Sequence, residues 1–363
     1  MPLSAKVLVV GGGPAGATAA RRLAEHGKDI ILLEKNLSHN KPCGGGLALK
    51  AFDEFGLPKT VVKKEVHGLR LFSPKGEAIE IGLRDNRLAI VARKEFDQML
   101  RLTAREQGAR IIEGEFLKIR DDKKCIVEAF IEGKRVEIVS EYIIAADGVN
   151  SRVRTSLGIK PAPSLLTASE TVTGPDMDYC EFWFDAMRNP YSYSWVFPAP
   201  EGVSVGTGCF EPKGINTLLL HFKERTGRMG TGKKKIYRIP VWDGRLYHKN
   251  KILFAGDSAG QVLPLSYEGI YYALKAGELA AEAILEGKAA HYKKKWKSRF
   301  QKKFSLLTRL QNFFLKDNAS AEKLVALHRR PEVQEVSLML WLDKGDRHYN
   351  LLNYLKLFGK FLR

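Results

Sequence analysis

A glycine-rich turn between an apolar strand and a helix narrows the possible folds of this chain more than any other segment of its sequence. Residues 7–10 predict a buried strand, and the sequence GGGPAG follows at residues 11–16. In this pattern Gly11 permits a tight turn, Gly13 lets the backbone approach a pyrophosphate, and Gly16 lets the helix pack closely on the strand. The helix N-terminus adds free N–H groups for phosphate oxygens. The turn therefore predicts a dinucleotide-binding βαβ unit.

Acidic residues follow three predicted strands where nucleotide contacts are expected. Glu34 ends the strand after residues 30–33, 18 residues beyond Gly16, and can accept hydrogen bonds from a ribose. Asp147 and Asp257 follow the apolar runs at residues 142–146 and 252–255. Asp147 is part of an Asp-Gly pair, which is also a common turn dipeptide. Because open parallel sheets bind ligands at the carboxyl ends of their strands, the three acids together support the dinucleotide interpretation.

The order of helical and strand patterns predicts an α/β fold with an interrupted nucleotide-binding domain. We expect a Rossmann-like domain, an inserted and mainly antiparallel-sheet second domain, and a helical C-terminal segment. The predicted boundaries are 1–66, 92–158 and 248–290 for the first domain, 67–91 and 159–247 for the second, and 291–363 for the basic C-terminal segment.

Cysteine usage and the N-terminus predict a cytoplasmic protein without a metal site. The four cysteines are far apart and lack CxxC spacing, which argues against a disulfide framework and a structural zinc site. The first strand begins within six residues of the N-terminus, which leaves no room for a signal peptide. Apolar runs are too short for a membrane-spanning helix.

The basic excess predicts an acidic or anionic partner. The formal net charge is +18, and the last 73 residues carry 17 Lys plus Arg against 6 Asp plus Glu. We expect either an anionic membrane surface, with the protein peripheral to it, or an acidic protein; no nucleic acid partner is expected. Residues 351–363 form an amphipathic helical pattern, which fits both an interfacial helix and a terminal helix docked on its own protein.

Four aromatic residues alternate along a predicted strand of the second domain: Tyr191, Tyr193, Trp195 and Phe197. A period of two places all four on one face of the strand. Such an aromatic wall suits a long apolar chain, and it equally suits the core of the second domain.

The motifs, in this order, resemble those of the FAD-dependent oxidoreductases of the para-hydroxybenzoate hydroxylase fold, and among them the geranylgeranyl reductase family. The resemblance covers roughly residues 5–290. The segment KPCGGG at residues 41–46 is similar to the family's cysteine-glycine loop near the flavin ring. The segment PYSYSWVFP at residues 190–198 fits the family's PxxYxWxFP pattern, on a strand that lines the isoprenoid cavity.

The glycine-rich turn and the resemblance together imply FAD as the cofactor. The expected contacts are Gly11, Gly13, Pro14, Ala15, Gly16, Glu34, Lys35, Cys43, Gly44, Gly45, Gly46, Arg93, Asp147, Gly148, Asp257, Gly269 and Ile270. Among them, Gly269 and Ile270 open a long helix, so their N–H groups are expected at the O2 edge of the flavin. Arg93 can form charge-assisted hydrogen bonds. The aromatic residues 191, 193, 195 and 197 are expected to contact the substrate.

The resemblance implies reduction of carbon–carbon double bonds in a prenyl chain of a lipid or prenylquinone. Hydride would leave flavin N5, and Cys43 is the candidate proton donor or positioning group; a small thiol packed beside the ring is the alternative. The electron donor could be a ferredoxin, a reduced deazaflavin or NADPH. Two other functions stay open at this stage: a flavin-dependent aromatic or quinone monooxygenase, and a membrane-associated flavin-binding protein without prenyl reductase activity.

Overall fold

The computed structural model of the protein describes residues 2–83 and 87–342. Its strands are β1 Leu3–Val10, β2 Ile30–Glu34, β3 Gly46–Ala48, β4 Val62–Val66, β5 Gly68–Phe72, β6 Ala78–Gly82, β7 Leu88–Val91, β8 Arg110–Glu113, β9 Glu115–Asp121, β10 Ile126–Ile131, β11 Lys134–Ala145, β12 Ser164–Val172, β13 Tyr179–Trp183, β14 Ser194–Ala199, β15 Gly202–Cys209, β16 Lys235–Pro240, β17 His248–Lys249 and β18 Ile252–Phe254. Its helices are α1 Pro14–Ala24, α2 Lys50–Phe55, α3 Arg93–Glu106, α4 Arg152–Ser156, α5 Ile215–Arg225, α6 Ile270–Leu285, α7 His291–Phe314, α8 Asn318–Leu327 and α9 Pro331–Leu342.

A mainly parallel sheet forms the nucleotide-binding part of the molecule. Its strands follow the order β17-β18-β11-β1-β2-β8, and β10 and β9 extend it as an antiparallel hairpin from β11. Strand β1 runs parallel to both β2 and β11, and β11 runs parallel to β18. The carboxyl ends of these neighbouring strands therefore lie at one edge of the sheet, where the sequence places Glu34, Asp147 and Asp257.

Helices α1 and α6 pack closely because small residues separate them. Pro14 occupies the first turn of α1, where a missing N–H is tolerated. A Cβ added to Gly277 of α6 would lie 2.2 Å from the carbonyl oxygen of Ala15, so only glycine allows this approach. The close contact brings the N-termini of both helices to the same edge of the sheet.

A seven-stranded sheet forms the second part of the molecule, in the order β16-β12-β15-β14-β13-β5-β6. All its pairs are antiparallel except β13 with β5. The α/β fold class is thereby confirmed. Strand β7, which falls within the predicted second-domain segment 67–91, pairs with β3 and β4 in a separate three-stranded sheet. The domain boundaries themselves stay a prediction.

The sequence patterns located most elements but misplaced the start of the aromatic strand. The helical periodicity of residues 93–106 predicts a helix, which is α3. Residues 127–138, with Glu132-Gly133 at the turn, predict the hairpin that joins β10 to β11. Strand β14 begins at Ser194 rather than at Tyr191. Tyr191 instead has a backbone φ of 60°, in the left-handed region, which a strand cannot contain. The nine-residue strand β12 was not singled out by the sequence analysis.

The basic C-terminal region packs on the rest of the protein through an aromatic face. On α7, Tyr292, Trp296, Phe300 and Phe304 recur every four residues and are buried against the main core. This spacing is the apolar stripe of an amphipathic helix. No helix within residues 2–83 and 87–342 is long and apolar enough to cross a bilayer. The predicted amphipathic helix at 351–363 lies outside the described residues.

Candidate functional site

The glycine-rich turn has the tight geometry that its sequence predicts. Gly11 has a φ of 99°, and a Cβ on it would lie 2.4 Å from the carbonyl oxygen of Ala146. A Cβ on Gly16 would lie 1.9 Å from the carbonyl oxygen of Gly11. By contrast, no heavy atom lies within 4 Å of the position that a Cβ on Gly13 would occupy. The turn is therefore packed against β11 on one side and open beside Gly13.

The open side of the turn faces a cavity of about 570 Å³. The N-terminus of α1 at Gly13 has no side-chain cap, so its N–H groups are available to an anion. The predicted cofactor residues that line this cavity are Gly11, Gly13, Pro14, Ala15, Glu34, Lys35, Cys43, Gly44, Gly45, Gly46, Arg93, Asp147, Gly148, Asp257, Gly269 and Ile270. Gly16 does not line it, since its role is the close contact between α1 and the turn.

Glu34 lies beside the turn at the end of β2. Its carboxylate accepts hydrogen bonds from the backbone N–H of Gly12, at 2.5 Å, and of Asn36, at 3.0 Å. The neighbouring Lys35 forms an ion pair with Glu115 at 2.8 Å. Glu34 thus already stabilises the turn and remains on the cavity wall, where a ribose hydroxyl could bind.

Asp147 carries a buried oxygen that lacks a protein partner. Its Oδ2 accepts a hydrogen bond from the N–H of Val153 at 3.1 Å, whereas its Oδ1 is buried and has no partner among the described residues. Burial raises the pKa of this carboxyl above its usual value, although nearby hydrogen bonds from Ser151 and from backbone N–H groups oppose the shift. A buried polar atom without a partner is costly, which indicates that a ligand completes the site.

Asp257 is held by a lysine that the sequence analysis did not single out. Lys41 Nζ lies 2.5 Å from Asp257 Oδ2 and 5.1 Å from the centre of the Tyr237 ring. Burial is the largest influence and opposes the charged form of Lys41, but the charge and hydrogen bond of Asp257 together with Tyr237 outweigh it and raise the pKa of the lysine. Lys41 belongs to the cysteine-glycine loop, so this ion pair ties the loop to the end of β18.

Helix α3 presents two buried arginines to the cavity. Arg93 forms two hydrogen bonds with Asp97, at 3.1 and 2.9 Å, and also interacts with Cys43. Burial disfavours the charged guanidinium, but Asp97 and Cys43 outweigh this and raise its pKa. Arg101 donates hydrogen bonds to the carbonyl oxygens of Gly12, at 3.1 Å, and Leu37, at 2.6 Å.

The sequence analysis missed Arg101, although its spacing of four and eight residues from Asp97 and Arg93 places all three charged residues on one face of a helix. Arg93, Asp97 and Arg101 are spaced by four residues and are all buried on one face of α3. Charged residues are rarely buried without a partner or a ligand, so three of them at helical spacing on a cavity wall predict a site. Arg101 positions the glycine-rich turn through Gly12.

The cysteine-glycine loop brings an exposed thiol to the cavity wall. Cys43 is exposed and lines the cavity, and its sulfur accepts a hydrogen bond from the N–H of Gly45 at 3.3 Å. A Cβ on Gly44 would lie 2.7 Å from the ring of Phe197, so the loop closely approaches the aromatic strand. This approach places the thiol between the nucleotide contacts and the aromatic residues.

The aromatic wall is formed by three of the four predicted residues. Tyr193, Trp195 and Phe197 line the cavity, and the Tyr193 hydroxyl donates a hydrogen bond to the Ser266 carbonyl oxygen at 2.6 Å. Burial raises the pKa of Tyr193, which keeps it neutral. Tyr191 does not line either cavity, and the expectation that it shares this face is wrong because the chain turns before β14 begins.

A second, apolar cavity of about 130 Å³ adjoins this wall. It shares Phe182, Tyr193, Ser266 and Trp341 with the first cavity, so the two cavities have part of their wall in common. The rings of Phe182 and Trp341 meet edge to face at 5.7 Å between their centres. Helices α7, α8 and α9 supply much of the remaining wall, which is mainly leucine and phenylalanine.

We call the region around Gly11, Gly13, Glu34 and Asp147 the nucleotide end, and the region around the aromatic wall and the second cavity the apolar end. The nucleotide end offers uncapped helix N–H groups, an unpartnered carboxyl oxygen and an open space beside a glycine. These donors and acceptors fit the phosphates and hydroxyls of a dinucleotide. No group of three or more potential metal ligands occurs among residues 2–83 and 87–342.

The fold and site define a dinucleotide-binding flavoprotein, and comparison with known proteins agrees. A family model described as a FAD binding domain matches residues 4–280. The chain is 31% identical to geranylgeranyl diphosphate reductase of Rhodobacter capsulatus, over 96% of this chain and 94% of that protein. It is 31% identical to digeranylgeranylglycerophospholipid reductase of Methanosarcina acetivorans, over 77% of this chain and 75% of that protein.

A solved structure has the same fold over nearly the whole chain. A geranylgeranyl bacteriochlorophyll reductase-like protein from Thermoplasma acidophilum superimposes with a TM-score of 0.83, at 23% identity, and covers 98% of this chain and 99% of that one. The chain belongs to the geranylgeranyl reductase family of FAD-dependent oxidoreductases. It is an enzyme, and its cofactor is FAD.

Proposed function

We propose that this flavoenzyme reduces isolated carbon–carbon double bonds in the prenyl chain of a lipid or prenylquinone. The observation that carries the proposal is that a single cavity is lined both by the nucleotide end and by the aromatic wall of the apolar end. Relatives named for the reduction of geranylgeranyl groups support the same substrate class. FAD, when bound, supplies the hydride.

The proposed cofactor contacts follow from the groups that the nucleotide end offers. The N-terminus of α1 would hold the pyrophosphate, and Glu34 and Asp147 would accept hydrogen bonds from hydroxyl groups. Asp257 would accept a hydrogen bond from the ribityl chain. The N-terminus of α6 at Gly269 has no side-chain cap, so its N–H groups would stabilise negative charge at the O2 edge of the flavin.

The apolar end would hold the prenyl chain and exclude water from it. Removing a hydrocarbon from water contributes about 0.8 kcal/mol for each CH₂ group, so a long chain binds strongly to a wall without charges. Tyr193 is satisfied by Ser266, and the second cavity's His328 and Ser337 hydrogen-bond to each other at 2.9 Å. The polar groups of this wall therefore do not compete for the chain.

Cys43 is the proposed source of the proton that the second alkene carbon receives. Its thiol is exposed on the cavity wall, and Arg93 interacts with it. After the thiol donates its proton to the alkene carbon, solvent would return a proton to the sulfur. Arg93 is itself fixed by its two hydrogen bonds to Asp97.

Reduction can be tested with purified, FAD-loaded protein, chemical reductant and geranylgeranyl diphosphate under anaerobic conditions. We expect products heavier by two hydrogens for each double bond reduced, detected by mass spectrometry. Oxygen-dependent hydroxylation of a phenol without any prenyl reduction would instead identify a monooxygenase.

The role of Cys43 can be tested with Cys43→Ser and with Cys209→Ser as a control at a cysteine outside the cavity. We expect Cys43→Ser to keep its FAD and to lose about 100-fold in the rate of alkene reduction, the usual range for a missing general acid. Cys209→Ser should keep the rate. Full activity of Cys43→Ser would leave the thiol only a packing role.

A further inference from the structure

Three exposed apolar residues, two from the loop before β14 and one directly after the end of β15, lie beside the junction of α7 and α8. Met187 is 80% exposed, Tyr191 39% and Phe210 38%. The rings of Tyr191 and Phe210 lie 6.4 Å apart. The N–H of Met187 bonds to Asn318 Oδ1 at 3.0 Å, while the N–H of Tyr191 bonds to the Leu315 carbonyl oxygen at 2.7 Å. Grouped apolar residues on a surface indicate an interaction site more often than scattered ones.

The backbone of Tyr191 holds its ring on the surface. Its φ of 60° is uncommon for a bulky residue, and such a conformation persists only where neighbouring contacts fix it. Three contacts do so here: the bond to Leu315, and bonds from the Tyr267 hydroxyl and from Gln311 Nε2 to the Tyr191 carbonyl oxygen, both at 2.7 Å. The structure thus maintains an exposed aromatic ring at this point.

The exposed patch is connected to the wall of the main cavity. Tyr267, which bonds to the Tyr191 carbonyl, lines that cavity, as does Tyr193, two residues further along the chain. Tyr267 therefore joins the exposed patch to the cavity wall through one hydrogen bond. Because Tyr193 belongs to the aromatic wall, the exposed patch adjoins the apolar end of the cavity rather than the nucleotide end.

Positive charge lies along the exposed face of α7 and continues to Lys316, next to Leu315, whose carbonyl oxygen accepts the N–H of Tyr191. Lys294, Lys302 and Arg309 are exposed and lie within about 80° of one another on a helical wheel of 3.6 residues per turn. Lys316, also exposed, follows beyond the end of the helix, with its Nζ 5.5 Å from the centre of the Phe313 ring. No acidic residue occurs in the sequence from 287 to 316.

Two acidic residues near the patch, Asp185 and Asp317, have partners within the protein. Asp185 pairs with Arg188 at 2.6 Å and with Arg225 at 3.5 Å. Asp317 caps α8 by accepting the N–H of Ser320 at 2.7 Å. Glu211 follows Phe210 in the sequence, two residues before Lys213. The surface as a whole combines an apolar patch with a row of cations.

We propose that this face docks on an anionic phospholipid bilayer, with Met187, Tyr191 and Phe210 inserted at the interface, and that the prenyl chain enters the cavity beside Tyr191. The entry route rests on the proposed prenyl substrate. A bilayer uses both features at once, since acyl chains accept the apolar side chains and anionic headgroups attract the cations. It also holds the water-insoluble substrate.

The docking face can be tested by flotation of the FAD-loaded full-length protein with phosphatidylcholine vesicles that do or do not contain phosphatidylglycerol. The test variant is Met187→Ser/Phe210→Ser. Its matched control is Met229→Ser/Phe130→Ser, which removes the same residue types at positions that are 51% and 43% exposed. A second test variant, Lys294→Glu/Lys302→Glu/Arg309→Glu, reverses the charge of α7.

We expect the wild-type protein to bind vesicles that contain phosphatidylglycerol and to bind less as salt increases. The patch variant should bind at least about tenfold more weakly, as should the charge-reversal variant, while the matched control should change less than about twofold. Equal losses in test and control variants would overturn the proposal. Absence of vesicle binding by the wild-type protein, with binding to an acidic ferredoxin instead, would also overturn it.

Activity separates this proposal from the proposed function. With geranylgeranyl diphosphate dissolved in detergent, the patch variant should reduce the substrate at the wild-type rate, and with a prenyl lipid embedded in vesicles it should be slower by about the loss in vesicle binding. Failure of the wild-type protein to reduce either substrate would contradict the proposed function and leave the flotation result to decide the docking face. Equal rates on vesicles for the patch variant and wild type would exclude the entry route.

Discussion

At the nucleotide end the cavity wall is mainly backbone, whereas at the apolar end it is mainly side chain. Gly11 and Gly16 have no room for a Cβ, because carbonyl oxygens occupy the space. At the apolar end, Trp195 and Phe197 instead fill spaces that Gly206 and Gly44 leave open, with added Cβ atoms 2.2 and 2.7 Å from their rings. The nucleotide end therefore depends on close backbone contacts, which glycine marks in the sequence, and the apolar end depends on side-chain contacts between distant segments.

The largest effect is expected from Gly11→Ala at the nucleotide end, compared with Gly13→Ala. Alanine at position 11 would combine a positive φ with a clash against Ala146, and should lower the free energy of unfolding by about 3 kcal/mol. Gly13→Ala meets no atom within 4 Å and should fold normally, but weaken FAD binding. Urea unfolding and titration of the apoprotein with FAD measure the two effects.

Two results would contradict this description of the turn. Unchanged unfolding of Gly11→Ala would mean that the turn relaxes easily, so that the nucleotide end is no more constrained than the apolar end. Unchanged FAD affinity of Gly13→Ala would mean that the pyrophosphate does not pass beside Gly13.

An intermediate effect is expected from Lys41→Met, which breaks the link between the cysteine-glycine loop and Asp257. A hydrogen bond between charged groups contributes about 1.5 kcal/mol or more. Without it the loop of the FAD-free variant should open more often and release the Cys43 sulfur from the N–H of Gly45, so iodoacetamide should alkylate Cys43 about tenfold faster. Lys35→Met is the matched control, because its ion pair with Glu115 lies outside the loop. Rates follow from mass spectrometry of the alkylated peptide.

The other three cysteines provide an internal reference for this measurement. Cys125, Cys180 and Cys209 are buried, and burial raises the pKa of each thiol. They should therefore react slowly in every variant that remains folded. An unchanged rate at Cys43 in Lys41→Met would show that the loop is held by its glycine contacts alone.

The smallest effect concerns His328 at the apolar end. Its Nδ1–H donates to the Leu324 carbonyl oxygen at 2.8 Å, and burial lowers its pKa from 6.5. The unfolded chain takes up a proton below about pH 6.5 that the folded protein does not, so the free energy of unfolding should fall by about 1 kcal/mol between pH 7 and pH 5.5. Urea unfolding at several pH values measures this slope.

Two substitutions separate His328 from the other titrating groups. His328→Gln should flatten the slope between pH 7 and pH 5.5, while the same change at the exposed His39 should leave it as in the wild type. If His328→Gln keeps the full slope, the apolar end already admits a charged imidazole, and its contrast with the nucleotide end is weaker than the structure indicates.

The sequence predicted the nucleotide end in detail because its rules are local. A turn that needs glycine at residues 11 and 16, and acids at strand ends, can be recognised without knowing what packs nearby. The two arginines of α3 show the limit of this approach. Arg93 was predicted through the resemblance, whereas Arg101 acquires its role by reaching Gly12 across 89 positions of the chain.

The apolar end was predicted only in part. Alternation along residues 191–197 correctly placed Tyr193, Trp195 and Phe197 on one wall. It could not show that contacts with Leu315 and Gln311 turn Tyr191 away from that wall, because those contacts join segments 120 or more residues apart. The second cavity likewise depends on how α7, α8 and α9 pack against the seven-stranded sheet.

Residue types at short spacing were enough to predict the α/β class, the glycine-rich turn, the strand-end acids and the aromatic strand from Tyr193 onward. Only the tertiary structure decided which side chains meet in the cavity, how Lys41 ties the loop to Asp257, and where the apolar patch lies beside the row of cations. The physical reason is that backbone geometry is fixed by neighbouring residues, whereas side-chain packing is fixed by whichever distant segments the fold brings into contact.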